Sequence, residues 1–230
     1  MIKKYKILNL YACLGGNRAK WDEVAKEKGI EIEVTAVELD PEAARLYQER
    51  FPNDIVIVSD AHQYLLDYYK EFDFIWSSPP CPSHTRLNIS QKTRDNWKPK
   101  YPSMILYEEI IFLKNFYFGK FCVENVIPYY EPLIEAQKRG RHLYWTNFKL
   151  PNDLNERPTI GISTAKDEVK KLCEFHNFDF YKYKGSQPKN KMARNLVDYE
   201  AGRTILETAL EIKPKKKIES LFDDEYLEIK

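Results

Sequence analysis

The sequence predicts an α/β fold, a mostly parallel sheet with helices on both faces. Three observations carry that expectation. Apolar runs of strand length alternate with helical patterns along most of the chain. A glycine pair, Gly15-Gly16, follows the first run. Residues able to bind or react stand just after the runs: Cys13 after the first, Glu38 and Asp40 after the second, Asp60 after the third, Cys81 after the fourth and Glu124-Asn125 at the fifth. In open α/β sheets ligands sit beyond the carboxyl ends of the strands, where such residues would gather.

Element by element, YKILNLYA (5–12) reads as the first strand and NRAKWDEVAKEKG as a helix stopped by Gly29. EIEVTAVEL (31–39) leads into PEAARLYQERF, with Pro41 in the first helical turn, where its missing N–H costs nothing. DIVIVSD (54–60) precedes AHQYLLDYYK, and FDFIW (72–76) precedes a proline loop. A helix near 102–117 separates these from KFCVEN (120–125) and HLYWTNF (142–148), the fifth and sixth strands.

A chain of 230 residues fits one domain with at most a small appendage. Its 31% charged and 43% hydrophobic content is that of a soluble globular protein. A net charge of +1 means that any surface for nucleic acid is local. No segment approaches the ~20 apolar residues of a membrane span. Four scattered cysteines, Cys13, Cys81, Cys122 and Cys173, form no C-x-x-C pair, so neither a zinc site nor a disulfide framework is indicated. A reduced, cytoplasmic setting is expected, with no metal and no membrane.

Gly15-Gly16 either brings backbone close to a ligand or makes a tight turn. Glu38 either suits a ribose diol or is a solvated strand end. The G-x-G-x-x-G fingerprint is absent, which counts against a nicotinamide cofactor. Cys81 stands in SSPPCPSH (77–84) with proline on both sides, either a structural cysteine in a rigid loop or a nucleophile held in place.

Taken in order, these motifs resemble the C5-cytosine DNA methyltransferases. LNLYACLGG (8–16), AVELDPEAARLYQERFP (36–52) and SDAHQY (59–64) are similar to that family's first three motifs. SSPPCPSH matches its proline-cysteine motif and VENV (123–126) its glutamate-asparagine-valine motif. QKRGR (137–141) reproduces Q-x-R-x-R, and NKMARNLVDYEAGRTILETAL (190–210) resembles the last motif. P-P-C alone is weak, but P-P-C, E-N-V and Q-x-R-x-R in that order are specific.

The resemblance implies a Rossmann-like S-adenosylmethionine-dependent methyltransferase sheet with a small C-terminal recognition region. Cofactor contacts would fall on Tyr11, Ala12, Cys13, Leu14, Gly15, Gly16, Glu38, Leu39, Asp60, Ala61, Pro80 and Asn195. Glu38 would take the ribose hydroxyls and Asp60 the adenine amino group. Cys81 would attack C6 of cytosine, Glu124 would supply a proton toward N3, Arg141 would bind the base and Arg139 would steady the cysteine loop. His84, Arg86, Arg139 and Arg141 are candidate charges to activate the thiol. Nucleic acid would meet Arg86, Lys92, Arg94, Lys98, Asn125, Lys189 and Lys191. The expected partner is double-stranded DNA carrying a flipped base, with RNA or an exocyclic amino group as alternative acceptors. A cofactor- or DNA-binding subunit without activity of its own is the rival of another class.

The expected divisions are a catalytic core (1–148), a short target-recognition region (149–188), a C-terminal helix returning to the core (189–213) and a charged tail (214–230). The recognition region is far shorter than the family's, so a partner chain or self-association could supply specificity. Asn9 stands where the family has an acid, Tyr11 where it has phenylalanine, and Pro82 where it has glutamine.

Overall fold

The computed structural model describes residues 4–90, 93, 96–158 and 167–211. Seven strands form one sheet: β1 (Tyr5–Leu10), β2 (Ile32–Glu38), β3 (Ile55–Val58), β4 (Phe74–Ser77), β5 (Lys120–Val126), β6 (Gln137–Arg139) and β7 (His142–Thr146). Their order is β3-β2-β1-β4-β5-β7-β6. β1 to β5 are parallel, whereas β7 runs antiparallel to β5 and to β6. The strand order reverses between β1 and β4, which opens a crevice at their carboxyl ends.

The sequence reading omitted β6. It forms because Gly140, at φ 51°, opens a two-residue turn that pairs Arg139 with His142. The Q-x-R-x-R run is therefore a hairpin.

The helices are α1 (Trp21–Lys28), α2 (Pro41–Arg50), α3 (Ala61–Tyr68), α4 (Leu87–Ser90), α5 (Ile105–Phe116), α6 (Glu168–His176), α7 (Lys189–Arg194) and α8 (Tyr199–Glu211). Local chemistry sets their ends. Gly29 caps α1 in the left-handed region, and its N–H reaches the Ala25 and Lys26 carbonyls. Asp40 caps α2 by accepting from the Glu42 and Ala43 N–H groups, with Pro41 next in line. Asp60 caps α3 through the Gln63 N–H.

Alternate residues of β1 point to opposite faces, Ile7 into one apolar cluster and Leu8 and Leu10 into another. α1 and α8 cover the first cluster with Trp21, Val24, Ile205 and Leu206. α3 and α5 cover the second with Leu65, Leu106, Ile110 and Leu113. A third cluster joins Leu14, Ala43 and Leu46 to Leu172, Phe180, Tyr183 and Met192. These four side chains thus pack against the loop after β1 and against α2. Residues 189–211 form two helices, α7 and α8, because the chain turns at Asn195 so that Val197 can pass over Gly16.

His176, the last residue of α6, is buried among Phe175, Phe180 and Tyr199. Burial, with Arg157 and Arg50 nearby, pushes its pKa down to about 4. Unfolding restores an ordinary pKa near 6.5, so the unfolded chain binds the proton more readily. Stability should then fall as pH drops from 7 toward 4, by roughly 2 kcal/mol at pH 5. Urea denaturation of native and His176→Phe chains at pH 7 and pH 5 checks this. An equal loss in both would refute it.

Among the described residues no helix is long and apolar enough to cross a membrane.

Candidate active site

The loop after β1 is bent into an unusual path. Tyr11 at φ 55°, Cys13 at φ 48° and Gly15 at φ 69° all occupy the left-handed region within five residues. For a residue with a side chain that conformation costs on the order of 1–3 kcal/mol, so the surroundings must fix it. Glu38 does so from the end of β2, accepting from the Cys13 N–H at 2.7 Å and the Asp40 N–H at 2.9 Å. Burial, ahead of the nearby Asp40 charge, raises its pKa.

The two glycines serve the fold at this point. A Cβ on Gly15 would meet the Phe51 and Tyr47 rings at 2.4 and 2.8 Å, and one on Gly16 would meet the Val197 carbonyl oxygen at 2.4 Å. Gly16 has ordinary helical angles, so it is needed for space. Cys13, pushed up to about 12 mainly by burial, is an unreactive thiol here.

Tyr11 projects toward α5, where its hydroxyl donates to Glu109 at 2.6 Å. The fully buried Glu109 carboxylate also accepts from Ser77 Oγ at 2.5 Å and lies 3.2 Å from His62 Nδ1. That hydrogen bond raises the His62 pKa despite partial burial. Here lies the physical reason that tyrosine replaces phenylalanine at position 11: its hydroxyl has a carboxylate to bond. Asp60 is exposed at the end of β3, beside the buried Ala61, and Leu39 is 67% exposed.

On the other side of the crevice β4 runs into Ser78-Pro79-Pro80-Cys81. Pro79 is buried, Pro80 is exposed and Cys81 is half-buried. The Cys81 carbonyl accepts from the His84 and Thr85 N–H groups, closing a tight turn. Pro82 is exposed and its carbonyl accepts from Asn88 Nδ2, so proline is accommodated after the cysteine. Asn125 on β5 donates from Nδ2 to the Pro79 carbonyl at 2.8 Å. At 2% exposure Asn125 has no surface to offer nucleic acid, which corrects its assignment as a contact residue. It fastens the proline loop to β5.

That tether sets Cys81 beside Glu124, the preceding residue of β5. Burial, then the Glu124 carboxylate, raises the Cys81 pKa, and Lys191 on α7 draws it back. Lys191, from a distant part of the sequence, is the cation that acts on the thiol, and its effect is smaller than that of burial and of Glu124. His84 is not that cation: it is buried, bonds Tyr130 through Nδ1 at 2.6 Å, and burial lowers its pKa.

Arg141 and Arg86 line a cavity of about 340 Å³ with Thr85, Leu87, Ser90 and Val126. Arg139 departs from expectation. Its guanidinium donates to the Leu150, Pro151 and Lys138 carbonyls, so it secures the segment after β7 and leaves the cysteine loop to Asn125. Lys98, Lys191 and Asn195 are exposed and Lys189 is half-exposed. Lys92 and Arg94 lie outside the described residues. Trp97 donates from Nε1 to the Asn88 carbonyl.

Sequence reasoning missed Glu109, His62 and Ser77 beside Tyr11, His142 beside Glu124, and Glu156 beside Tyr144. Glu109 carried a signal: it lies three residues after Leu106 and four before Leu113, on the apolar face of α5.

Residues 5–132, more than half of the chain, match the C-5 cytosine-specific DNA methylase family. The chain belongs to that family. Among solved structures, DNMT2 from Spodoptera frugiperda is 27% identical, with 54% of this chain aligned to 36% of that one at a TM-score of 0.37. The chain thus corresponds to about a third of that protein's length. Entamoeba histolytica methyltransferase EhMeth is 11% identical over 91% of this chain and 98% of its own, with a TM-score of 0.51, a likeness of fold. None of the curated proteins matches the chain.

S-adenosylmethionine is the methyl donor that goes with membership of this cytosine methylase family. The residues present fit it. Tyr11, Glu38 and Asp60 stand at the ends of three adjacent strands, and the first carries an aromatic ring in a backbone conformation maintained at a cost.

Proposed function

We propose that the chain methylates C5 of a flipped cytosine in DNA through a Cys81 adduct. The observation that carries this reading is the tether from Asn125 to Pro79, which sets Cys81 beside Glu124, on the strand whose Val126 lines the cavity carrying Arg86 and Arg141. S-adenosylmethionine, when bound, supplies an activated methyl group; Glu38 and Asp60 would hold it, with Tyr11 against its adenine.

C5 of cytosine is a poor nucleophile until electrons enter the ring. Cys81 Sγ bonds to C6 and the ring pair moves toward C5, with Glu124 giving a proton to N3. The same pair of residues controls the thiol. An ionised Glu124 opposes the thiolate, so loss of the Cys81 proton is favoured when Glu124 is protonated. Arg86, Lys98, Lys189 and Lys191 would meet phosphates.

A second reading draws on the third apolar cluster. Leu172, Phe180 and Tyr183 are buried against the core and so are not offered to a target, and a partner chain would supply specificity.

DNA carrying 5-fluorocytosine, incubated with S-adenosylmethionine, tests the proposal, because fluorine cannot leave as a cation. The native chain should give a covalent species on a denaturing gel and Cys81→Ser should give none. No adduct with mixed-sequence DNA would transfer support to an RNA acceptor or the partner-dependent reading.

A further inference from the structure

Glu124 is nearly shut off from water, with its side chain 9% exposed. A carboxyl that lends a proton to a base and takes it back needs a neighbour through which that proton can travel. His142 supplies the geometry. It stands on β7 opposite Val126, two positions along the ladder from the Glu124–Tyr144 pair and so on the same face, with Nε2 3.6 Å from Glu124 Oε1. At 28% side-chain exposure it reaches solvent, which Glu124 does not.

A second carboxylate completes the group. Glu156, from the segment that Arg139 fastens down, packs against Gly140, where a Cβ would come within 2.5 Å of its Oε2. Its Oε1 lies 3.4 Å from the Tyr144 hydroxyl. Burial, the largest effect, raises the Glu156 pKa, while the charges of His142 and Arg141 pull it down. The charged and titratable groups around His142 are therefore Glu124 from β5, Arg139 from β6, Arg141 from the turn, Tyr144 from its own strand and Glu156 from the following segment. Asp198 acts on Glu156 from behind, and Cys81 faces Glu124 from the proline loop.

We infer that His142 is a positioning residue that stores and returns the proton Glu124 exchanges with the base, with Glu156 steadying its charged form. The inference rests on the proposed reaction. An imidazolium at His142 passes its proton to Glu124. Glu124 passes one to N3 as the Sγ–C6 bond forms. When that bond breaks N3 returns the proton to Glu124, and Glu124 returns it to His142, so the N3 proton comes back to its source; the C5 proton that the methyl group replaces leaves separately to water. Histidine suits the task because its ordinary pKa lies near neutrality.

The test is a pH profile of single-turnover methyl transfer for native, His142→Asn, His142→Ala and Glu156→Gln chains. The native rate should fall on the alkaline side as the imidazole loses its proton. Both His142 variants should be about tenfold slower, below the 10²–10⁴ of a direct acid–base group, with a flattened profile and an unchanged KM for DNA. Glu156→Gln should move the profile the same way by less, and it decides the matter if the His142 variants fail to fold. Native rates and profiles in all the variants that fold would overturn the role of His142 alone. A native chain with neither transfer nor adduct would overturn the proposed function, and this inference with it.

Discussion

Replacing Glu124 by Gln should slow methyl transfer by about 10² to 10⁴, the range for losing a positioned acid–base group. It should also make Cys81 more reactive toward iodoacetamide at fixed pH. The two effects have opposite signs for one reason. The carboxylate supplies a proton to the base, but in the resting protein its negative charge raises the neighbouring thiol's pKa. Glutamine keeps the shape and removes both actions. The sign with pH follows: Cys81 is alkylated faster as pH rises toward the thiol's raised pKa, and the variant should reach a given rate at lower pH. Lys191→Gln should do the reverse, since Lys191 is the cation that favours the thiolate. Measuring alkylation and transfer on the same preparations separates the roles. If Glu124→Gln lowered both together, the residue would be acting through the fold, and its assignment to the base would fail.

Much of the sheet was legible because its signals are local. Gly29, Asp40, Pro41 and Asp60 each terminate or start a helix by chemistry written within four residues. β6 was not legible, since three residues carry no periodicity and the strand exists only by pairing with β7. The turn at Asn195, which divides the last segment into α7 and α8, was hidden for the same reason. Its cause is the lack of a side chain on Gly16, 181 residues before Val197.

The site divides along the same line. Ordered motifs located Cys81, Glu124, Glu38 and Asp60 at the ends of their strands. Which partner each side chain takes depends on distances that no motif spacing encodes. Asn125 and Arg139 both went to backbone carbonyls, at Pro79 and at Leu150 and Pro151, while Lys191 came to Cys81 from another part of the chain. Asn9, which looked like a departure from the family, becomes intelligible only with its neighbours. It hydrogen-bonds Asn17 in a buried network that already contains Asp54, so another acid would add a second negative charge.

That network bears the largest expected loss of stability. Arg18 and Asp54 are both buried and joined by two hydrogen bonds of 2.9 Å, from Nε and from the NH2 nitrogen. Tyr47 donates to the same carboxylate at 2.9 Å, and Asp22 takes a third bond from Arg18. Asp54→Ala would leave a guanidinium in the interior with one largely exposed partner, Asp22. Breaking a buried pair from one side costs roughly 3–5 kcal/mol, because the remaining charge is uncompensated. For a chain of this size that is a fall in Tm of roughly 6–20 °C. The damage should extend to the cofactor, because the Tyr47 and Phe51 rings that this network holds lie directly beneath Gly15. Removing both charges tests the account. Arg18→Met with Asp54→Leu should recover much of the lost stability, as apolar replacements of buried pairs often do. A double variant less stable than Asp54→Ala would mean that the pair is itself strongly stabilising, and the explanation by an orphaned charge would be wrong.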